Sequence, residues 1–547
     1  MKLFKTLISK HTELYLFAFL VIFFFVIYTV VLPHIPYYHE QHHLFLFSKA
    51  YFNNTINSDG LLGYITIFII QFFYYPLSGS LLLALMLASV YGLIAYTARK
   101  ITGHTDILFL GLMPVLYLFT RTLSVDYKLT EIVASLIVLS VIVLPVAIFK
   151  GRYLKYAITL AACLALLSFI PWKIIAAAIL IISLSTFSAF LLRVFNKKQS
   201  LIVASLAIIA YLGFGNNFFK TKFLEGEKYM ILAKKYVNEK KWDEAISLTE
   251  DYMSSGRKNI LMFYYRNIAL FHKGRLGDDM LNVPQSIGDV ALCFTWRSNS
   301  RDTEYGYDAY YELEHWNAAK RWAFESMIVW GETAPCLVTL AACNIKAGKY
   351  PAAQKFLNLL KQSLFYRKTA KELEKEIATA SREIETMTAH REDENKADSK
   401  IYFSGKDELL WELELLCQKN PQNKMAFEYF MSALLLNNYV LDFAQNIHRM
   451  KAFDYKKMPR IFDEALCICK MMEKEEFAKL GIEVSPETEA RFQRYSELFR
   501  QQNRTVLKRE FENSYWYYIH FVSTYGNQLR QQQRYGGLEI PQGGLEH

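Results

Sequence analysis

The stretch PHIPYYHEQHHLFLFSKAYFNNTINSDG, residues 33 to 60, continues as LLGYITIFIIQFFYYP to Pro76 and decides how the chain is read. It stands directly behind an uncharged apolar run, Leu14 to Leu32, that is long enough to span a bilayer. Beside that run it gathers His34, His39, Glu40, His42, His43, Asn57 and Asp59. Ionisable groups at a membrane edge mark a site by default, because charge near lipid is costly to keep.

Further apolar runs lie at 61 to 75, 78 to 97, 107 to 120, 130 to 149, 157 to 170, 174 to 195 and 201 to 216. Lys and Arg collect on cytoplasmic loops. Here they cluster at Lys2, Lys5 and Lys10, at Arg99 and Lys100, at Lys150, Arg152 and Lys155, and at Arg193, Lys197 and Lys198. Residues 33 to 60 carry only Lys49, so they belong outside, and one crossing then fits between them and Arg99. Run 78 to 97 has the better length for it. The charge pattern therefore predicts about seven crossings plus one interfacial or re-entrant helix at 61 to 75, with the N-terminus cytoplasmic. In the rival arrangement 61 to 75 crosses and 107 to 120 is re-entrant. Pro171, Trp172 and Lys173 break the long run 156 to 195 into a hairpin whose tip faces outward, as does RTLSVDYKLTE with Arg121, Asp126, Lys128 and Glu131.

The 547 residues are 52% hydrophobic and 15% aromatic, a mixture of membrane and soluble parts. A net charge of +10 does not point to nucleic acid, since no basic patch or nucleic-acid motif accompanies it and many cations flank apolar runs. Seven cysteines, scattered without ligand spacing, argue against a disulfide framework and a zinc knuckle.

From about Glu225 the chain turns polar and its apolar residues recur at helical spacing. Three stretches place an aromatic three residues before an alanine: Trp242 with Ala245, Trp316 with Ala319, and Tyr350 with Ala353. Trp316 and Tyr350 are separated by the period of the tetratricopeptide repeat, in which the small residue lets two helices approach. A fourth, degenerate copy lies near Tyr439. The expected organisation is all-α. A polytopic membrane helix bundle spans 1–217, with an outer loop at 33–77, and a soluble, tetratricopeptide-like α-solenoid follows. That second part divides into 218–387, a charged linker 388–408 and a C-terminal helical domain 409–541. Residues 542–547, ending GGLEH, read as the scar of an expression tag. The aromatic run FENSYWYYIHFVSTYGNQL reads as a packed closing helix.

Two chemistries are written into the opening loop. HEQHH fits H-E-x-x-H, in which His39 and His43 would share a helix face to bind a divalent metal while Glu40 activates a water. Alternatively Glu40 or Asp59 is a catalytic carboxylate, with Arg121, Lys128 and Lys173 on the outward loops holding a departing phosphate.

The order of parts, a first span, a long outer loop with an early acid, an interfacial helix and further spans, resembles the GT-C glycosyltransferases. That resemblance implies a polyprenyl-phosphate sugar donor and a loop carboxylate acting as base. With repeats on the far side, the chain also looks like the repeat-bearing O-mannosyltransferases. More closely, EQHHLFLF through GLLGYITIFIIQFFYYPLSGSLLL and the late SYWYYIHFV resemble multi-pass Bacteroidota proteins of unestablished function, which implies a bacterial inner membrane and a periplasmic C-terminal half. The partners so expected are membrane lipid and a protein partner or acceptor on the repeats. The competing expectations are a membrane-anchored repeat scaffold without catalysis and a zinc metalloprotease.

Overall fold

The computed structural model describes residues 12–104, 106, 108–149, 151–191, 225–294, 300–388 and 409–523, with isolated positions between 199 and 213. The expected linker 388–408 and tag remnant 542–547 fall almost wholly outside these residues. Among the described residues all regular structure is helical, as expected.

The chain forms two compact units. The first holds the chain up to Lys228 together with Glu332–Pro335 and Leu357–Glu372. Its helices are α1 (Thr12–Val26), α2 (His34–His42), α3 (Lys49–Ile70), α4 (Pro76–Thr102), α5 (Leu112–Arg121), α6 (Thr130–Ile148), α7 (Arg152–Leu166) and α8 (Trp172–Leu191). Among the described residues, five segments are long and apolar enough to cross a membrane: Glu13–Val31, Lys49–Tyr74, Pro76–Thr102, Thr130–Ile148 and Trp172–Phe190.

α4 is the centre of this unit, packing against α1, α6 and α8. Its buried face is rich in small residues, with Ala84, Ala88, Ala95 and Ala98 buried, and a side chain at Gly92 would press on Phe17. Small residues let helices approach closely where lipid gives no hydrophobic drive. α1 and α4 run antiparallel. Glu13 at the start of α1 pairs with Arg99 near the end of α4 at 3.4 Å, while Ser80 near the start of α4 donates to the carbonyl of Tyr28 at 3.2 Å. Residues 33 to 75 therefore begin and end at the same end of the bundle.

Lys49–Tyr74 reaches that result by folding back on itself. Gly60, at φ 70° and ψ −178°, occupies a region open in practice only to glycine, and there the helix breaks. The two arms meet where Phe52 contacts Tyr64 at 5.0 Å, and Phe45, just before the segment, packs on the second arm at Tyr64 and Phe68, 5.0 and 5.3 Å away. The segment is long enough to span, but it is a hairpin. An interfacial or re-entrant placement of 61 to 75 is compatible with this geometry.

Between α4 and α5 the backbone is irregular, and the buried carboxylate of Asp106 organises it. Asp106 accepts from the N–H groups of Leu108 and Leu110 at 3.0 and 2.7 Å, and from the hydroxyls of Ser185 and Ser188 on α8 at 2.6 Å each. Non-helical backbone inside an apolar bundle needs such partners, because lipid supplies none.

The second unit is a succession of helical hairpins around a large apolar core, with a smaller one of Tyr495, Leu507, Phe511 and Trp516 near its end. Trp242, Trp316 and Tyr350 each open a helix, and Ala245, Ala319 and Ala353 are fully buried. Six junctions share one turn. Lys240, Gly274, Glu314, Gly348, Asn438 and Gln502 take positive φ, and each following N–H bonds the carbonyl five residues back at 2.8 to 3.1 Å. That is the Schellman closure of a helix end. The late aromatic run closes the fold as expected: Tyr515, Trp516 and Tyr518 are buried, and Tyr515 N–H and the Trp516 indole bond Glu464 at 2.8 and 3.0 Å.

Candidate functional site

The site is built on the short connection behind α1. α1 ends in a π-turn, Ile27–Val31, closed by the Leu32 N–H on the Ile27 carbonyl at 2.8 Å. π-turns recur at functional sites because they turn side chains out of helical register. Pro33 caps α2 and Pro36 sits in its first turn, where no backbone donor is required. α2 is thereby placed with His34, Ile35, Tyr38, His39 and Glu40 all buried.

Glu40 is only 7% exposed. Tyr366 donates a short hydrogen bond to its Oε1, and Gln41 donates to Oε2 at 2.5 Å. Burial pushes the Glu40 carboxyl up, and the two donors offset part of that rise. Tyr366 comes from Leu357–Glu372, the segment that folds into this unit from far along the chain. The same segment holds both ends of the α3 hairpin. The Phe47 N–H donates to the Gln362 carbonyl at 2.9 Å, and Phe365 stacks on Tyr74 at 5.1 Å with edge contacts to Phe72 and Tyr75. Tyr74 also meets the edge of Tyr366 at 5.3 Å, so this aromatic cluster packs against the residue that holds the carboxylate.

The histidines are a second feature. His39 is 2% exposed and neither ring nitrogen has a hydrogen-bond partner among the described residues. Its pKa is driven well below the ordinary value by burial, and His43 and His42 add to the effect. His43 Nδ1 lies 2.9 Å from the His39 carbonyl, so that nitrogen must carry the proton. Burial lowers His43 as well, and brings His34 to about 3.

The structure brings together some predicted residues and leaves others apart. Asp59, at the tip of the α3 hairpin, lies 3.8 Å from Lys128, both well exposed. His43 feels both of their charges. Arg121 instead faces Glu131 at 4.0 Å and the Tyr127 ring at 5.2 Å. Lys173 is exposed at the start of α8, and among the described residues no ion pair or hydrogen bond joins it to the cluster.

A zinc site does not fit these donors. The His39 and His43 rings approach to 5.7 Å, but no group of three His, Cys, Asp or Glu side chains converges among the described residues. Glu40, which would have to activate a metal-bound water, is bonded to Tyr366.

Sequence reasoning missed Phe365 and Tyr366. Their signal is an aromatic pair lying between two helices, in KQSLFYRKTA. It also missed Asp106, whose signal was one acid before an apolar run and two serines three residues apart inside another.

A family model described as "Family of unknown function (DUF6057)" matches residues 4–233 and 219–522. No curated protein and no solved structure matches the chain.

Proposed function

The chain belongs to the DUF6057 family of unknown function, and from that premise we propose that it is a non-catalytic, membrane-anchored scaffold of the bacterial inner membrane. Its soluble tetratricopeptide-like half, on the periplasmic side, holds a protein partner. The observation that carries this reading is the closure of Glu40. An acid that takes a proton from an acceptor hydroxyl must be reached by it. Here both oxygens serve protein donors, Tyr366 and Gln41, and the residue is buried. The carboxylate is a pin that fastens Leu357–Glu372 to the opening loop.

The second reading is the GT-C-like transfer of a sugar from a polyprenyl-phosphate donor. It is favoured by the raised pKa of Glu40, since perturbed carboxyls cluster at catalytic sites. In that reading Tyr366 swings away, and Asp59, Lys128 and Arg121 stand near the donor phosphate.

One experiment separates the two readings. Membranes carrying the parent, Glu40→Gln and Tyr366→Phe are compared for transfer of labelled sugar from a polyprenyl-phosphate donor and for crosslinking of the helical half to a partner in cells. The scaffold reading expects no transfer in any membrane and an unchanged crosslinked species in Glu40→Gln. Transfer by the parent that falls about 10²-fold or more in Glu40→Gln would establish the enzyme instead.

A further inference from the structure

A cleft of about 600 Å³ opens beside the last helices of the second unit. One wall is the exposed helix Arg504–Phe511, which presents Arg504, Thr505, Lys508 and Arg509. The floor is aromatic, made by Tyr517 and Phe521 with ring centroids 4.7 Å apart. Three cations face a single lining carboxylate, Glu512. Arg509 is engaged by Glu510 at 3.0 Å and Lys508 lies 3.8 Å from Glu512, whereas Arg504 has no ion pair among the described residues.

The floor is held rigidly. Both rings pack against the small core of Tyr495, Leu507, Phe511 and Trp516. A π-turn over Tyr518–Val522, closed by the Ser523 N–H on the Tyr518 carbonyl at 2.8 Å, follows Tyr517 and carries Phe521. The extra residue in that turn sets Phe521 off from ordinary helical register, and such turns recur at binding sites. The cleft therefore combines two chemistries at fixed spacing: point and fork cations on one wall, and a flat apolar surface below.

We propose that this cleft binds an acidic sugar, a saccharide unit carrying a phosphate or carboxylate. The anion would lie against Arg504 and Lys508, since Arg grips phosphate or carboxylate through two donors and Lys serves as a point charge. The ring's apolar face would lie on Tyr517 and Phe521, while Thr505 offers a hydroxyl to its oxygens. A flat body with one charged end matches the site better than a bare anion, which would leave the aromatic floor unused. The assignment does not depend on the scaffold reading and holds whether or not the chain is an enzyme.

The test uses the full chain in detergent micelles, titrated calorimetrically with glucose 1-phosphate, glucuronate, neutral glucose and inorganic phosphate. Both acidic sugars should bind, more tightly than inorganic phosphate, and neutral glucose should not. The exposed pair Arg504→Ala with Lys508→Ala should weaken the acidic sugars at least about tenfold. Tyr517→Ala should erase the preference of glucose 1-phosphate over inorganic phosphate. If Tyr517→Ala also lowers the melting temperature, the Arg504 and Lys508 variant carries the decision, because neither of its side chains is part of the core. Inorganic phosphate binding as tightly as glucose 1-phosphate, no binding of either acidic sugar, binding untouched by the double variant, or binding of an acidic peptide in their place would each overturn the proposal.

Discussion

Glu40 is held by a hydroxyl 326 positions away in sequence, and that bond sets what single substitutions should do. Tyr366→Phe keeps the ring stack and removes the donor, leaving Oε1 of a buried carboxyl unsatisfied. The expected cost is about 1–3 kcal/mol, read as a lower melting temperature of the detergent-solubilised protein. Glu40→Gln retains an acceptor for Tyr366 and should cost less. Acid sensitivity follows from the histidines. The folded pKa values of His34, His39 and His43 lie below the unfolded value of about 6.5, so the unfolded chain binds more protons below that pH. Their stabilisation is intact above about pH 6.5 and is lost as pH falls, down to about 3 for His34. Glu40 works the other way: its raised pKa makes the folded chain take up the proton first, so its contribution to stability rises as pH falls through the window between the folded and unfolded values. Melting temperatures measured between pH 7 and pH 5 should fall on acidification, and less so in His39→Phe; a flat profile would contradict the burial of these rings. At this scale the sequence showed Glu40 and the histidines, because a local motif displays them. It hid Tyr366, because a contact between distant residues leaves no trace in spacing.

The helices carry their own tests. Gly60 breaks Lys49–Tyr74 at a backbone angle that other residues reach only with strain, so Gly60→Ala should destabilise by about 1–3 kcal/mol and loosen the hairpin to proteolysis. A side chain at neighbouring Gly63 would strike Asp59 Cβ at 2.4 Å, so the tip tolerates little change. The Schellman turns predict the opposite sign. Lys240 holds φ 56° with an exposed side chain, and Lys240→Gly should stabilise by about 0.5–1 kcal/mol, measured by thermal melting. The helix starts at Trp242, Trp316 and Tyr350 were legible because an aromatic and an alanine recur at fixed spacing. The turn shared by six junctions was not, since only Gly274 and Gly348 among its positive-φ residues are glycines. The fold-back of α3 was half legible: Asn57, Ser58, Asp59 and Gly60 spell a turn, while the length of the run permits a span.

At the scale of the whole molecule, contacts constrain which ends share a membrane face, independently of the charge pattern. α1 and α4 are antiparallel, so residues 32 and 76 share an end. Asp59 meets Lys128, which requires the chain to return to that end between α4 and α6. The Val125 N–H lies 3.5 Å from Glu227, so the helix that begins at Glu225 starts beside the connection between α5 and α6. These contacts put Asp59 and Lys128 at one end of the bundle and Arg99 at the other, and the seven-crossing arrangement that the cations suggest predicts that those ends lie on opposite membrane faces. All seven native cysteines are buried, so introduced ones can be labelled against a low background. Single cysteines at Lys49, Asp59 and Lys128 should react with a membrane-impermeant maleimide added to whole cells opened only at the outer membrane. One at Lys100 should react only after the inner membrane is broken. A reporter fused near residue 390 should likewise be exported and one at 198 retained. Labelling of Lys49 and Lys128 from opposite faces would mean that Lys49–Tyr74 crosses after all, and the hairpin at Gly60, with the site it carries, would have to be abandoned.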